Sequence, residues 1–334
     1  MTAPSPTQRP VTPNDVARLV RASFGPTPGL ADCGPLGGGG FATVWWARLD
    51  DGRRVVLKVA PSQDARLLRY ERGLCAAEDH YFRLVATRAP RVPVPPVLHH
   101  GVDPAYGEWL VTGLLPGRSL ADLAADGADD GAARHDLGVA LAALHEVTGD
   151  RFGYEGDRAS GSTWPEAFAA MVDELLADAT DWAVRLPVPP DRLRALVRRH
   201  EAALDVVRRP ALLHFDLWDG NVLAAPAPDG RLRLTGLVDG ERYLYGDPLM
   251  DLVSPVLGRR AEDETDHPTL RGYREAAPFD LDAAARRRLS LYRLHLYLLM
   301  TVEMPSRGMT PQTHPQRHTW LATVLDAELT ALAG

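Results

Sequence analysis

The sequence predicts an α+β fold in two unequal lobes: a small antiparallel-sheet lobe with one main helix, then a larger and mostly helical lobe. Three observations carry that reading. Two alternating apolar runs, 43–49 and 54–60, flank Asp51-Gly52, the sequence form of a tight hairpin. A further strand-like run from Glu108 ends in Pro116-Gly117, a break that marks the linker between lobes. Beyond it the pattern turns helical, interrupted by one polar loop set between short apolar runs. The boundaries expected are 1–11 disordered, 12–115 the first lobe and 116–334 the second.

Residues 1–11 are rich in Pro and Thr, which is the ground for expecting disorder. Thr12 followed by Pro13 has the form of a helix start, with Val16, Leu19 and Val20 on one face. Gly37, Gly38, Gly39 and Gly40 then join a strand to the hairpin. Four glycines between strands let backbone N–H groups converge on a phosphate with no side chain in the way. Lys58 sits inside Val-Val-Leu-Lys-Val-Ala, where a lone cation is costly unless an acid partners it. The partner is expected on a helix over 63–86, which carries Glu71 and Glu78 on one face, seven positions apart. Val92-Pro-Val-Pro-Pro96 ends that unit as an extended connector. Helices are expected over 118–125, 132–147, 164–185, 191–208, 269–275, 281–303 and 318–333.

The chain is organised around residues 212–223, Leu-Leu-His-Phe-Asp-Leu-Trp-Asp-Gly-Asn-Val-Leu. Asp216 and Asn221 on one tight loop can face one small volume. The carboxylate can then accept a substrate hydroxyl proton while the amide oxygen coordinates a metal ion. Alone this spacing is a weak signal. A second stretch, 232–241, reads as a strand that pairs with the one after the loop, through a turn at 228–230, and delivers Asp239 at its end. Two carboxylates and an amide suit Mg²⁺, a hard cation that binds through few protein oxygens together with phosphate.

Bulk properties narrow the function classes. At 334 residues with 45% apolar and 24% charged positions, the chain reads as globular. A formal net charge of −7 argues against nucleic acid or an anionic membrane as partner and leans toward a neutral or cationic substrate. Cys33 and Cys75 are too few for a disulfide framework and are read as reduced and structural. With no signal segment and no long uncharged apolar run, a cytoplasmic protein without membrane contact is expected, either a monomer or a homodimer. Even the greasiest stretch, 289–304, carries Arg293, His295 and Glu303, which makes it a core helix.

Five features in fixed order resemble the aminoglycoside phosphotransferase and choline kinase group of kinase-like enzymes: the glycine turn, the lysine strand, Leu-His-Phe-Asp-Leu-Trp-Asp-Gly-Asn, the Val-Asp-Gly-Glu step, and Gly246-Asp-Pro-Leu-Met-Asp-Leu252. The match is good over 36–256. It implies a protein-kinase-like fold, ATP or GTP with Mg²⁺, and transfer of the γ-phosphoryl to a hydroxyl of a small molecule. By that resemblance Asp216 is the base, Asn221 and Asp239 are the metal ligands, Lys58 clamps the α- and β-phosphates, and Glu78 rather than Glu71 pairs with Lys58. The adenine would meet the backbone of Gly113 and Leu115, and His214 would orient the loop. Two departures stand out: Gly240 follows Asp239 where the group more often has an aromatic, and Phe215 replaces a common glycine.

The acceptor expected is an aminoglycoside or related amine-bearing antibiotic, with a metabolite such as an amino sugar, choline or homoserine as the alternative. Asp157 and the acids Glu262, Asp263, Glu264 and Asp266 are candidates for holding a cationic acceptor. A metal-dependent hydrolase using His214, Asp216, Asp219 and Asp239 leaves the glycine hairpin and Lys58 unexplained. A non-catalytic nucleotide-binding relative is a further alternative, though the Lys, Asp, Asn and Asp positions are all present.

Overall fold

The computed structural model describes residues 5–37, 39–264 and 266–333. Thr12 and Asp15 cap α1 (Pro13–Phe24) reciprocally, each side chain accepting the other residue's backbone N–H. Val16, Leu19 and Val20 are buried on one face of that helix. They pack on a five-stranded antiparallel sheet of order β1-β2-β3-β5-β4. Its strands are β1 (Leu30–Pro35), β2 (Thr43–Leu49), β3 (Arg54–Val59), β4 (Val97–Asp103) and β5 (Gly107–Gly113).

Strand alternation sorts the side chains. Trp45, Ala47 and Leu49, then Val55, Leu57 and Val59, then Trp109 and Val111 form one core with α1. Lys58 and Leu110, register partners across β3 and β5, lie on the other face, against α2 (Leu74–Arg88).

Two expectations fail in this lobe. The helix begins at Leu74, not at 63, because Gly73 takes a left-handed φ of 69° and breaks the run. Glu71 therefore lies in a 3-10 turn, Arg69–Glu71, where its carboxylate accepts the Leu68 N–H at 2.9 Å. It shares no helical face with Glu78. The start of the chain also departs from composition. Residues 1–4 lie outside the described residues, but 5–11 are tied to the sheet and to the glycine turn. The Thr7 hydroxyl donates to Gly40 O at 3.1 Å, and Gln8 Nε2 donates to the carbonyls of Gly39 at 3.0 Å and Ala42 at 3.2 Å. Carbonyls in a turn with no ladder partner are natural acceptors for such side chains.

The rest of the chain is built on a helical core with two small sheets. Strands β6 (Arg118–Ser119), β10 (Val222–Pro226) and β11 (Leu232–Leu237) form one of them. The other joins β7 (Phe152–Gly153), β8 (Ser160–Gly161), β9 (Ala211–Leu213) and β12 (Leu244–Gly246). Around them pack α3 (Leu120–Ala125), α4 (Gly131–Leu144), α5 (Trp164–Asp181), α6 (Pro190–Arg199), α7 (Glu201–Leu204), α8 (Pro268–Ala276), α9 (Ala283–Glu303) and α10 (Pro315–Ala333). The spine is α9, buried at nearly every position from Leu289 onward. Its Arg293 can be buried because Glu262 receives the guanidinium in two bonds of 2.8 and 2.6 Å and Glu328 adds another at 2.9 Å. Among the described residues no helix is long and apolar enough to cross a membrane.

Candidate active site

The loop between β9 and β10 is held from below by one buried carboxylate. Asp251 accepts the backbone N–H groups of His214 at 2.9 Å and Phe215 at 2.6 Å, and His145 Nε2 meets it at 3.1 Å. The Ser254 hydroxyl accepts the Leu217 N–H at 3.0 Å. These contacts hold Phe215 at a φ of 68°, a left-handed conformation that glycine takes freely and a phenylalanine takes at a cost. The buried Phe215 ring packs against His295, centroids 5.4 Å apart. His214 is fully buried, and its Nε2 lies 3.0 Å from the Val238 carbonyl, which ties the loop to the end of β11. Burial lowers the His214 pKa and keeps the ring neutral.

Asn221 closes the loop by donating from Nδ2 to the Asp216 carbonyl at 2.8 Å. Among the described residues its Oδ1 accepts no hydrogen bond, so the hard oxygen that a Mg²⁺ ion requires is free. Across the β10-β11 hairpin the Val238 N–H donates to the Asn221 carbonyl at 3.0 Å, which brings Asp239 to the same cleft. Asp239 itself sits at a φ of 60°. A Cβ on Gly240 would run into the Tyr81 ring, so this residue is glycine because α2 supplies the aromatic from outside the motif. That ring stands edge-on to His214 at 5.4 Å.

Lys58 joins the two lobes. Its Nζ lies 2.6 Å from Glu78 Oε1 and also contacts the Asp239 carboxylate. Burial would push the ammonium pKa down, but the charges of Asp239 and Glu78 outweigh it and hold the group well above its ordinary range. Glu78 is the acid on Lys58, while Glu71 faces Arg307 at 2.5 Å.

A cleft of about 450 Å³ opens above these groups, lined by Gly39, Gly40, Lys58, Asp216, Asp239 and Glu241 on its polar side. Among the described residues the N–H groups of Gly39 and Gly40 donate to no protein acceptor. Gly38 lies outside the described residues, and Gly37 precedes the turn without lining the cleft. At the linker the Gly113 N–H is taken by the Pro96 carbonyl at 2.9 Å and the Leu114 N–H by Arg54 O at 3.0 Å. Gly113 is therefore not free as a donor to adenine, whereas the Leu115 N–H has no partner among the described residues.

Several residues that sequence reasoning left without a role are part of this site. Arg242 Nε lies 3.6 Å from Asp216 Oδ2, and the guanidinium also bonds Glu303 at 2.7 Å. Trp218 is 39% exposed and lines the cleft, which its apolar wall of Leu257, Leu296, Met300, Met304 and Met309 completes. Asp251 and Ser254 anchor the loop. Only Asp251 had a signal, as the second acid of Gly246-Asp-Pro-Leu-Met-Asp-Leu252.

Three of the acids proposed for a cationic acceptor are engaged elsewhere. Glu262 is buried on Arg293, Glu264 pairs with Arg259 at 2.9 Å and Asp263 with Arg286 at 3.5 Å. Asp157 and Asp266 are exposed, and none of the five acids lines the cleft at Asp216.

A family model described as the phosphotransferase enzyme family matches residues 32–292. The chain belongs to that family. It is 28% identical over 235 residues to a probable ketoamine kinase of Synechocystis sp., covering 66% of this chain and 69% of that one. Among solved structures it resembles a putative fructosamine-3-kinase from Thermobifida fusca at 25% identity and a TM-score of 0.65, covering 96% of this chain and 100% of the other. It shares the fold of an aminoglycoside phosphotransferase, APH(4)-Ia, solved with AMP-PNP and hygromycin B, at 19% identity and a TM-score of 0.62, covering 96% and 99%. The expected kinase-like α+β fold is thus shown.

Proposed function

We propose that this phosphotransferase moves the γ-phosphoryl of ATP to a sugar hydroxyl on a small molecule carrying a single amine, a ketoamine of the fructosamine type. The carrying observation is the composition of the wall beside Asp216. Trp218 and the Leu257, Leu296, Met300, Met304 and Met309 side chains form an apolar face suited to a sugar ring. The cleft lining sets four carboxylates, Asp216, Asp239, Glu241 and Glu303, against four cations, Lys58, Arg242, Arg307 and Arg317, which leaves no net negative charge to hold a polycation. Two relatives at 25% identity or more, a probable ketoamine kinase and a putative fructosamine-3-kinase, support the same reading.

In this reading Asp216 accepts the proton of the attacking hydroxyl, and Arg242, with its Nε 3.6 Å from Asp216 Oδ2, holds that carboxylate at the cleft. The Gly39 and Gly40 N–H groups and Lys58 hold phosphate oxygens, Glu78 positions Lys58, and the Leu115 N–H meets the adenine edge. Asn221 Oδ1 and the Asp239 carboxylate would hold Mg²⁺, which neutralises charge on the phosphates when bound. AMP-PNP in a structure of the same fold supports the nucleotide, with GTP as the other candidate.

The aminoglycoside reading has the shared fold and the net charge of −7 in its favour. An assay decides between the two. Purified protein with Mg²⁺-ATP is given a fructosamine, an aminoglycoside, choline, homoserine and a neutral hexose, and mass spectrometry looks for the added phosphate. Phosphorylation of the fructosamine with the highest kcat/KM is expected. A panel in which only the aminoglycoside gains phosphate overturns the ketoamine assignment.

A further inference from the structure

The lobe that holds Lys58 carries a second group of metal-type donors that phosphoryl transfer does not use. On β4 and β5, Val102 pairs with Glu108 and His100 with Leu110, so His100 and Glu108 are diagonal neighbours on one sheet face. The helix α2 packs on that face and presents Cys75 and Asp79, one turn apart. One ligand atom from each of Cys75, His100 and Glu108 lies within 4.8 Å of the others. His100 Nε2 meets Glu108 Oε1 at 2.8 Å, while its Nδ1 faces Asp79 Oδ2 at 3.8 Å.

We propose that Cys75, His100 and Glu108 form a binding site for a zinc-type divalent ion, with His100 coordinating through Nε2 and Asp79 orienting the ring from Nδ1. A tetrahedral centre with bonds of about 2.0 to 2.3 Å has ligand-to-ligand edges near 3.5 Å, so donors up to 4.8 Å apart need to close by about 1 Å while the His100 Nε2 and Glu108 Oε1 pair at 2.8 Å opens by less than that. An imidazole and a carboxylate with 23% and 26% of their side chains exposed have that freedom, and the same exposure leaves an entry path. One nitrogen, one sulfur and one oxygen donor select a borderline-soft ion over Mg²⁺ or Ca²⁺.

Binding replaces the His100 to Glu108 hydrogen bond with two bonds to the same ion, and the neutral ring then carries its proton on Nδ1, toward Asp79, with any proton shared at Nε2 released to solvent. The Cys75 thiol releases its proton to solvent as the sulfur-metal bond forms. Burial raises the Cys75 pKa, and the charges of Glu108, Glu78 and Glu241 raise it further, so the negative field that disfavours a bare thiolate is one that a cation relieves. The ion would tie α2 to β4 and β5 at Cys75, one turn from Glu78, and so bear on the helix that positions Lys58. A hydrogen-bonded His-Glu pair beside a structural cysteine is the alternative, and it binds no metal.

The test uses Co²⁺ as a spectroscopic probe on full-length protein stripped with a chelator. One equivalent is expected to produce the thiolate-to-cobalt charge-transfer band and the visible bands of a tetrahedral site. Cys33→Ser should retain them, and Cys75→Ser and His100→Gln should each lose them. Asp79→Asn should weaken Zn²⁺ affinity, measured by chelator competition, by about 10-fold or more. The band excludes the nucleotide site, whose proposed donors are oxygens. Circular dichroism checks that each variant is folded, and His100→Gln carries the test if Cys75→Ser is not. No thiolate band in the folded wild type, or a band that survives in Cys75→Ser, overturns the proposal.

Discussion

Replacing Glu78 with Gln isolates what α2 contributes to the nucleotide site. Lys58 is bonded to two carboxylates, Glu78 at 2.6 Å and Asp239, and the Glu78 side chain is 1% exposed. Glutamine keeps the shape and an acceptor oxygen but removes the charge, and Asp239 still partners the ammonium. The loss is therefore that of a charge-assisted bond weakened to a neutral one, about 1 to 2 kcal/mol, rather than of a whole buried pair. That corresponds to about a 5- to 30-fold weaker Kd for the nucleotide, because Lys58 is free to turn from the phosphates toward Asp239. Glu71→Gln is the matched control. Its carboxylate holds Arg307 and caps the Leu68 N–H, so its loss should appear in the melting temperature with little change in nucleotide Kd. Calorimetric titration with a non-hydrolysable ATP analogue and Mg²⁺, beside thermal melts, separates the two. A folded Glu71→Gln protein that binds nucleotide as poorly as Glu78→Gln, or worse, would refute the assignment.

Three further outcomes are expected. Asp239→Ala should make nucleotide Kd the same with and without Mg²⁺, whereas the wild type binds more tightly with the ion; calorimetry measures both. Asp251→Asn sets an amide NH₂ against the His214 and Phe215 N–H groups, so urea unfolding should show a loss of about 3 kcal/mol and turnover should fall with the loop disordered. His295 is buried, its Nδ1 has no partner among the described residues, and desolvation lowers its pKa to about 3. The native ring stays neutral while the unfolded one takes a proton below about pH 6.5, so stability is full above that pH and falls below it. The slope reaches about 1.4 kcal/mol per pH unit toward the native pKa, and urea midpoints for His295→Leu should show a shallower decline than the wild type.

How much was legible in the chain depended on whether the cause was local. The capping box at Thr12, the hairpin at Asp51-Gly52 and the loop around Asp216 are written in neighbouring residues, and their positions followed from them. The start of α2 did not, because apolar periodicity carries on through Gly73 and only its left-handed φ ends the run. Composition misread 5–11 for a similar reason: Thr7 and Gln8 are ordered by the carbonyls of the glycine turn, a partner some thirty residues away. The acids at 262–264 looked like a surface until α9 and the nearby arginines were in place beside them. Asp251, Arg242 and Trp218 acquire roles only when the turn after β12, the step after Asp239 and the catalytic loop meet at one cleft.

The role proposed for Asp216 is to accept the proton of the attacking hydroxyl during phosphoryl transfer. Its most direct test is a quenched single-turnover experiment with γ-labelled ATP and the best acceptor of the panel, comparing wild type with Asp216→Asn. Label transfer is expected to slow by about 10²- to 10⁴-fold while nucleotide Kd stays within about twofold of the wild type. A variant that transfers label at close to the wild-type rate contradicts it.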